Sequence, residues 1–188
     1  FPRAVHECRD TVLWLHEHAD DLGIDSSRIA IGGDSAGGNL AAAVTLMLRG
    51  TPHAPMAQLL IYPGTTFDMD MPSYTENADA PLLNVRGMPA VNAMYVPDEN
   101  ERRNPLAAPL HAESHAGLPP ALICVAQYDP LRDDGYAYAD KLREADVPVE
   151  FDAGEGLIHG YLRAMEYCAA SRERLEKMCR WLAERYDT

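Results

Sequence analysis

Gly32-Gly33-Asp34-Ser35-Ala36-Gly37-Gly38-Asn39 joins two segments of opposite character. Before it runs Arg28-Ile29-Ala30-Ile31, whose β-branched residues predict a buried strand, and after it Leu40 to Leu48, where Leu40, Val44 and Met47 predict an apolar helix face. Ser35 therefore stands at a strand-to-helix corner. Glycine two residues before and two after the serine lets the chain turn sharply under backbone strain, which pushes the hydroxyl out of the sheet. At such a corner the hydroxyl lies near the positive end of the helix, and the Ala36 N–H faces the place where an oxyanion would form. A phosphate-cradling turn would need Gly-x-Gly-x-x-Gly or Gly-Lys-Ser/Thr, and neither spacing occurs.

The 188 residues are enough for one domain with a sizeable core, and 47% hydrophobic content fits a globular chain. A formal net charge of −13 repels nucleic-acid phosphates and anionic lipid, and favours a small neutral partner over an anionic one. Cys8, Cys124, Cys168 and Cys179 form no Cys-x-x-Cys pair and read as small apolar packing residues, which points to a reducing, cytoplasmic setting. No apolar run approaches a membrane span, so no membrane insertion is expected, and Phe1 to Glu7 do not read as a signal peptide.

Working outward, Pro2 predicts a helix start, with Val5, Cys8, Val12, Leu15 and Ala19 at helical spacing as far as Leu22, closed by Gly23. On the other side, Ala57 to Tyr62 reads as a second strand, so strand, helix and strand form a parallel pair. Ala121 to Ala126 and Pro148 to Phe151 read as a third and a fourth strand, and Leu175, Met178, Cys179 and Leu182 as the apolar stripe of a last helix. The fold class expected is α/β, a mainly parallel sheet flanked by helices, as one domain over residues 1–188. Residues 64–116 exceed what one crossover needs; they predict a small cap with one or two short helices, Met88, Val91, Met94 and Tyr95 marking one of them. A long surface loop is the alternative.

Serine is a weak nucleophile at neutral pH and needs a base, which in turn needs an acceptor to fix its tautomer. In a parallel sheet the carboxyl ends of the strands open on one side, and Ser35, Asp129 and His159 fall in the loops after the first, third and fourth strands. His6, His16, His18 and His53 read as surface residues. His111 and His115 are four apart but lack the His-Glu-x-x-His order of a metal helix, so no metal is expected. Asp133 and Asp134 compete with Asp129 for the carboxylate role, but helix N-capping accounts for both. Met94, Tyr95, Leu131 and Ile158 are pocket candidates, with core packing an equal account of each.

Gly33-Asp34-Ser35-Ala36-Gly37-Gly38-Asn39, Gly117-Leu118-Pro119-Pro120-Ala121, Tyr128-Asp129-Pro130-Leu131-Arg132-Asp133 and Ile158-His159-Gly160-Tyr161 together resemble the hormone-sensitive-lipase-like bacterial esterases of the α/β-hydrolase superfamily. The resemblance implies Ser35 as nucleophile, Asp129 as acid, His159 as base and the Ala36 N–H in the oxyanion hole. It also implies hydrolysis of neutral carboxylic esters of short to medium acyl chain, with no cofactor. One departure stands out: the family's upstream His-Gly-Gly-Gly segment, whose N–H groups complete the oxyanion hole, is not in this sequence. The expectation is therefore the carboxyl-terminal portion of the fold, with an apolar strand edge to be covered by further chain, a partner or a second copy. A non-catalytic ligand-binding module and an inactive fragment are the alternatives; the presence of all three triad residues weighs against the first.

Overall fold

A computed structural model describes residues 1–187. Strands β1 (Ile31–Asp34), β2 (Gln58–Ile61), β3 (Ala121–Cys124) and β4 (Val149–Asp152) form one parallel sheet in the order β1-β2-β3-β4. Ile31 pairs with Gln58, Gln58 with Ala121 and Ala121 with Val149, so the strands start level and their carboxyl ends open along one rim. β1 is an edge strand with no neighbour on its outer side among the described residues.

Helices α1 (Arg3–Glu17) and α2 (Ala19–Leu22) precede β1, and Gly23 closes α2 in the left-handed conformation. α3 (Ala36–Leu48) follows β1, α4 (Pro72–Glu76) and α5 (Met88–Tyr95) lie between β2 and β3, α6 (Arg132–Glu144) joins β3 to β4, and α7 (Ala169–Tyr186) ends the fold. β3 is buried on both faces. Ala121 and Ile123 pack with Ala41, Ala42, Tyr138 and Leu142 of α3 and α6, whereas Leu122 and Cys124 pack with Met178 and Trp181 of α7. This two-sided burial is why the strand reads as a continuous apolar run. Val5 and Val12 of α1 seal the far side of α3 against Ala43, Val44 and Leu48.

Several sequence expectations shift. Of residues 28–31 only Ile31 belongs to the strand; Ser26–Arg28 form a 3-10 turn in which the Asp25 carboxylate accepts the Ser27 N–H at 2.9 Å, and the strand runs from Ile31 to Asp34. The local side-chain bond favours the turn at 26–28, and ladder-like bonding begins with the Ile29 carbonyl, which accepts the Met56 N–H at 2.8 Å. α3 is buried nearly all round rather than along Leu40, Val44 and Met47, because α1 covers the side turned away from the sheet. In α7 the buried positions are Ser171, Met178 and Trp181, and Cys179 is exposed rather than packed. In α5 only Met88 is buried, and Met94 is 85% exposed.

The loop after β4 is laced to the one after β3. Tyr128 and Ile158 form a parallel bridge, the Tyr128 N–H donates to the Leu157 carbonyl at 2.9 Å, and the Gln127 N–H donates to the Gly154 carbonyl at 3.1 Å. Gly154 has φ +58°, and a Cβ there would run into the Val125 carbonyl. Only glycine lets the two loops approach this closely. Residues 129 and 159 each directly follow the bridged pair.

Candidate active site

Ser35 caps α3 with φ 54° and ψ −118°, a conformation that costs a non-glycine residue about 1–3 kcal/mol. It is held by its own N–H, which donates to the Ile61 carbonyl at 2.9 Å and extends the β1–β2 ladder, and by its carbonyl, which accepts from the Asn39 N–H at 3.1 Å. A Cβ on Gly33 would collide with the backbone of Gly37, so the corner closes only over glycine at 33. Gly37 differs from the sequence expectation: a Cβ there meets nothing within 4 Å, and its backbone is what Gly33 must clear.

His159 Nε2 lies 2.9 Å from Ser35 Oγ, and His159 Nδ1 lies 2.7 Å from Asp129 Oδ2. Asp129 is fully buried, and its Oδ1 also accepts the Leu131 N–H at 2.9 Å. A buried carboxylate can only accept, so Nδ1 carries the imidazole proton and Nε2 is left free to accept from the Ser35 hydroxyl. The Tyr62 ring sits 4.8 Å from the imidazole, centroid to centroid, and Asn77 Nδ2 donates to the Asp129 carbonyl at 3.2 Å. Burial first, then the nearby Asp34 carboxylate, raises the Tyr62 phenol and keeps it neutral; its Oη donates to Asp34 Oδ2 at 3.2 Å.

Beside Ser35 opens a cavity of about 460 Å³, mostly apolar, with Ala36, Phe67, Met88, Tyr95 and Leu131 in its wall. Of the four pocket candidates, Tyr95 and Leu131 line it. Met94 points to solvent, and Ile158 lines a separate depression with Tyr128. Asn39, the last residue of the serine motif, donates from Nδ2 to the Gly64 and Ala107 carbonyls, both at 2.8 Å, and so ties two loops to the corner. Asn39, Tyr62, Phe67 and Asn77 carry no local signal beyond the first, which follows the serine at helical spacing.

The remaining histidines lie outside this arrangement. His111 Nε2 is 2.9 Å from Thr66 Oγ1 and 3.3 Å from Asp68 Oδ2, while His115 is buried with Nε2 3.0 Å from the Pro109 carbonyl. His6, His16, His18 and His53, expected on the surface, are all half-buried, and His16 and His53 pack edge to face at 4.9 Å.

Asp133 and Asp134 do not cap α6, whose cap position is Leu131 with no side-chain bond. Asp133 Oδ2 accepts the Ser73 N–H at 2.8 Å. Asp134 is completely buried; its Oδ2 accepts the Thr65 and Thr66 N–H groups at 2.8 and 3.2 Å, and its Oδ1 accepts the Tyr74 hydroxyl at 2.8 Å. Desolvation pushes this carboxyl up to about 7 against the pull of those donors. The unfolded chain releases the same proton near 3.9. Below about pH 4 the group is neutral in both states, and as pH rises through 7 the folded state must bear a buried charge, so this stability is lost with rising pH. Asp134→Asn is expected to remove the loss. Denaturant midpoints at pH 4.5 and 8 should show the variant gaining on the parent by an order of a few kcal/mol between them.

A family profile described as an alpha/beta hydrolase fold matches residues 1–163, and the chain belongs to that family. Among its relatives are the esterase LipI of Mycobacterium tuberculosis, 45% identical over 165 residues that make up 86% of this chain and 51% of LipI, and an arylesterase of Saccharolobus solfataricus, 38% identical over 86% of this chain and 53% of that protein. The crystal structure of a thermostable esterase from Pseudomonas putida superposes with a TM-score of 0.90 at 37% identity, covering 94% of this chain and 57% of that one. These relatives place the chain in the hormone-sensitive-lipase-like branch. The chain spans about half the length of the curated relatives it matches.

Proposed function

We propose that this protein is a serine carboxylesterase that cleaves neutral esters of short to medium acyl chain. The carrying observation is the unbroken relay from Asp129 Oδ2 through both nitrogens of His159 to Ser35 Oγ. Ser35 Oγ attacks the ester carbonyl while His159 Nε2 takes its proton, and the Ala36 N–H, free at the first turn of α3, donates to the oxyanion. His159 returns the proton to the leaving alcohol as the tetrahedral centre collapses to an acyl-enzyme. Water, deprotonated by the same nitrogen, then releases the acid. Asp129 fixes the tautomer and stabilises the imidazolium. No step calls for a cofactor.

Residues 64–116 act as the cap in this reading, with Phe67, Met88 and Tyr95 presenting the apolar wall that receives the substrate. The outer edge of β1 is the surface to be covered, by further sheet from the same polypeptide, by a partner or by a second copy; the Ala36 N–H is one donor of an oxyanion hole, and further sheet from the same polypeptide or a partner would bring the others. Four unpaired cysteines fit a cytoplasmic setting, and no helix among the described residues is long and apolar enough to cross a membrane.

A fluorophosphonate probe followed by peptide mapping, beside a series of p-nitrophenyl esters of increasing acyl length, tests the proposal. Ser35 is the expected site of labelling, with hydrolysis falling off beyond medium chains. A folded protein that neither labels nor hydrolyses any ester in the series overturns it.

A further inference from the structure

We propose that Leu82 is a specificity-determining residue, held on a strained turn so that its side chain covers the apolar chain of an ester in the cavity beside Ser35; this rests on the esterase reading. The first observation is in the backbone. Leu82 has φ +68°, and the Leu83 N–H donates to the Pro81 carbonyl, two residues back, at 2.9 Å. A hydrogen bond of that span around a positive φ closes the rarer, strained form of γ-turn, and a residue with a Cβ adopts it at a cost that glycine escapes.

Such strain persists only where the surrounding chain fixes it, and here the base of the loop is tied. The Val85 N–H donates to the Ala78 carbonyl at 2.9 Å, and Asn77 Nδ2 donates to the Asp129 carbonyl at 3.2 Å, so the turn is carried on the loop that holds the buried carboxylate. Leu83 and Val85 turn inward onto Tyr74, Met88 and Leu131. Leu82 does not. It is 70% exposed, yet it stands in the wall of the cavity that reaches Ser35. Its Cδ1 also lies 3.6 Å from where a Cβ on Gly160 would be, so the side chain extends from the segment between β2 and β3 toward the residue that directly follows His159. Because most of its surface stays in water, the leucine returns little to the fold for the backbone it occupies. An ester changes that, since an apolar chain lying in the cavity and the isobutyl group remove each other from water. The turn therefore matches strain to the burial of substrate rather than to packing of the empty protein.

The parent, Leu82→Ala, Leu82→Met and Leu82→Gly are compared on ethyl acetate, ethyl hexanoate and hexyl acetate, the last two carrying the longer chain on the acyl and on the alcohol side. In Leu82→Ala, kcat/KM for at least one of the longer esters is expected to fall roughly tenfold, the low end of what an apolar pocket contact supplies, and ethyl acetate to change less than about twofold; the ester that loses identifies the side of the substrate that Leu82 covers. Leu82→Met, which restores an apolar chain of similar length, is expected to recover most of the loss. Leu82→Gly should show the same loss while its folding equilibrium constant, read by urea denaturation, rises about three- to tenfold, because the turn no longer carries a Cβ. Equal losses on all three esters, no loss on either longer one, or a Leu82→Gly protein less stable than the parent each overturn the proposal. Ethyl hexyl ether, which has the chain but no scissile bond, separates the two readings: the Leu82 methyl resonances are expected to shift when it is added. If no ester is hydrolysed and those resonances shift, the esterase reading fails and the contact stands; if they stay fixed, the contact is overturned as well.

Discussion

Removing the Ser35 hydroxyl is expected to lower ester turnover by about a millionfold, and His159→Ala by nearly as much. In the proposed mechanism the two groups act as one unit. With Oγ 2.9 Å from Nε2, the nucleophile exists only while its proton has somewhere to go. A hydroxyl without the imidazole attacks no better than solvent, and an imidazole without the hydroxyl has nothing to activate. The double variant should therefore be little slower than either single one, and turnover of p-nitrophenyl acetate with purified single and double variants checks this. Additive losses would mean that the two side chains work separately, which the observed geometry does not support.

The second large effect is expected at Asp129→Asn, about ten-thousand-fold in kcat with the fold intact. Asp129 accepts two hydrogen bonds, from the Leu131 N–H at Oδ1 and from His159 Nδ1 at Oδ2. An asparagine has one acceptor oxygen. If that oxygen stays with the Leu131 amide, the NH2 group faces Nδ1 and makes it an acceptor; the ring proton then moves to Nε2, where it blocks transfer from Ser35. Should the amide turn the other way, the Leu131 N–H loses its buried partner at about 1–3 kcal/mol. Kinetics above neutral pH combined with imidazole nitrogen shifts distinguish the two: the predicted variant holds its ring proton on Nε2. A variant retaining a tenth of the parental rate would show that orientation of the ring does not depend on this carboxylate.

Much of this was legible locally. The strand-to-helix change around Ser35, the long apolar run of β3 and the Asp and His directly after their strands each leave a signal a few residues long, because a buried parallel strand must be apolar and its carboxyl end must open on the common rim. The positions where the structure departs from these local signals share a cause as well. Asp134 occupies the first turn of α6, the position at which a carboxylate caps, yet its oxygens are spent on Thr65, Thr66 and Tyr74 from other elements. Met94 has the helical spacing of a buried residue but stands on the outer side of α5, and Cys179 likewise sits on the wet side of α7. Spacing shows that a helix has a face; which side meets the rest of the protein depends on what packs against it.

The order of strands and helices, the corner at Ser35 and the three loops that carry a hydroxyl, a carboxylate and an imidazole can be read from the residues alone, since each follows from short-range sterics and from the two periodicities of the backbone. It takes the folded arrangement to bring His159 to both partners at once, to let Asn39 and Asp134 tie the loop after β2 in place, and to build the cavity wall from Phe67 and Tyr95 rather than Met94 and Ile158. Those facts depend on contacts between residues from 25 to 124 positions apart, and their geometry exists only once the sheet has brought the loops to one rim.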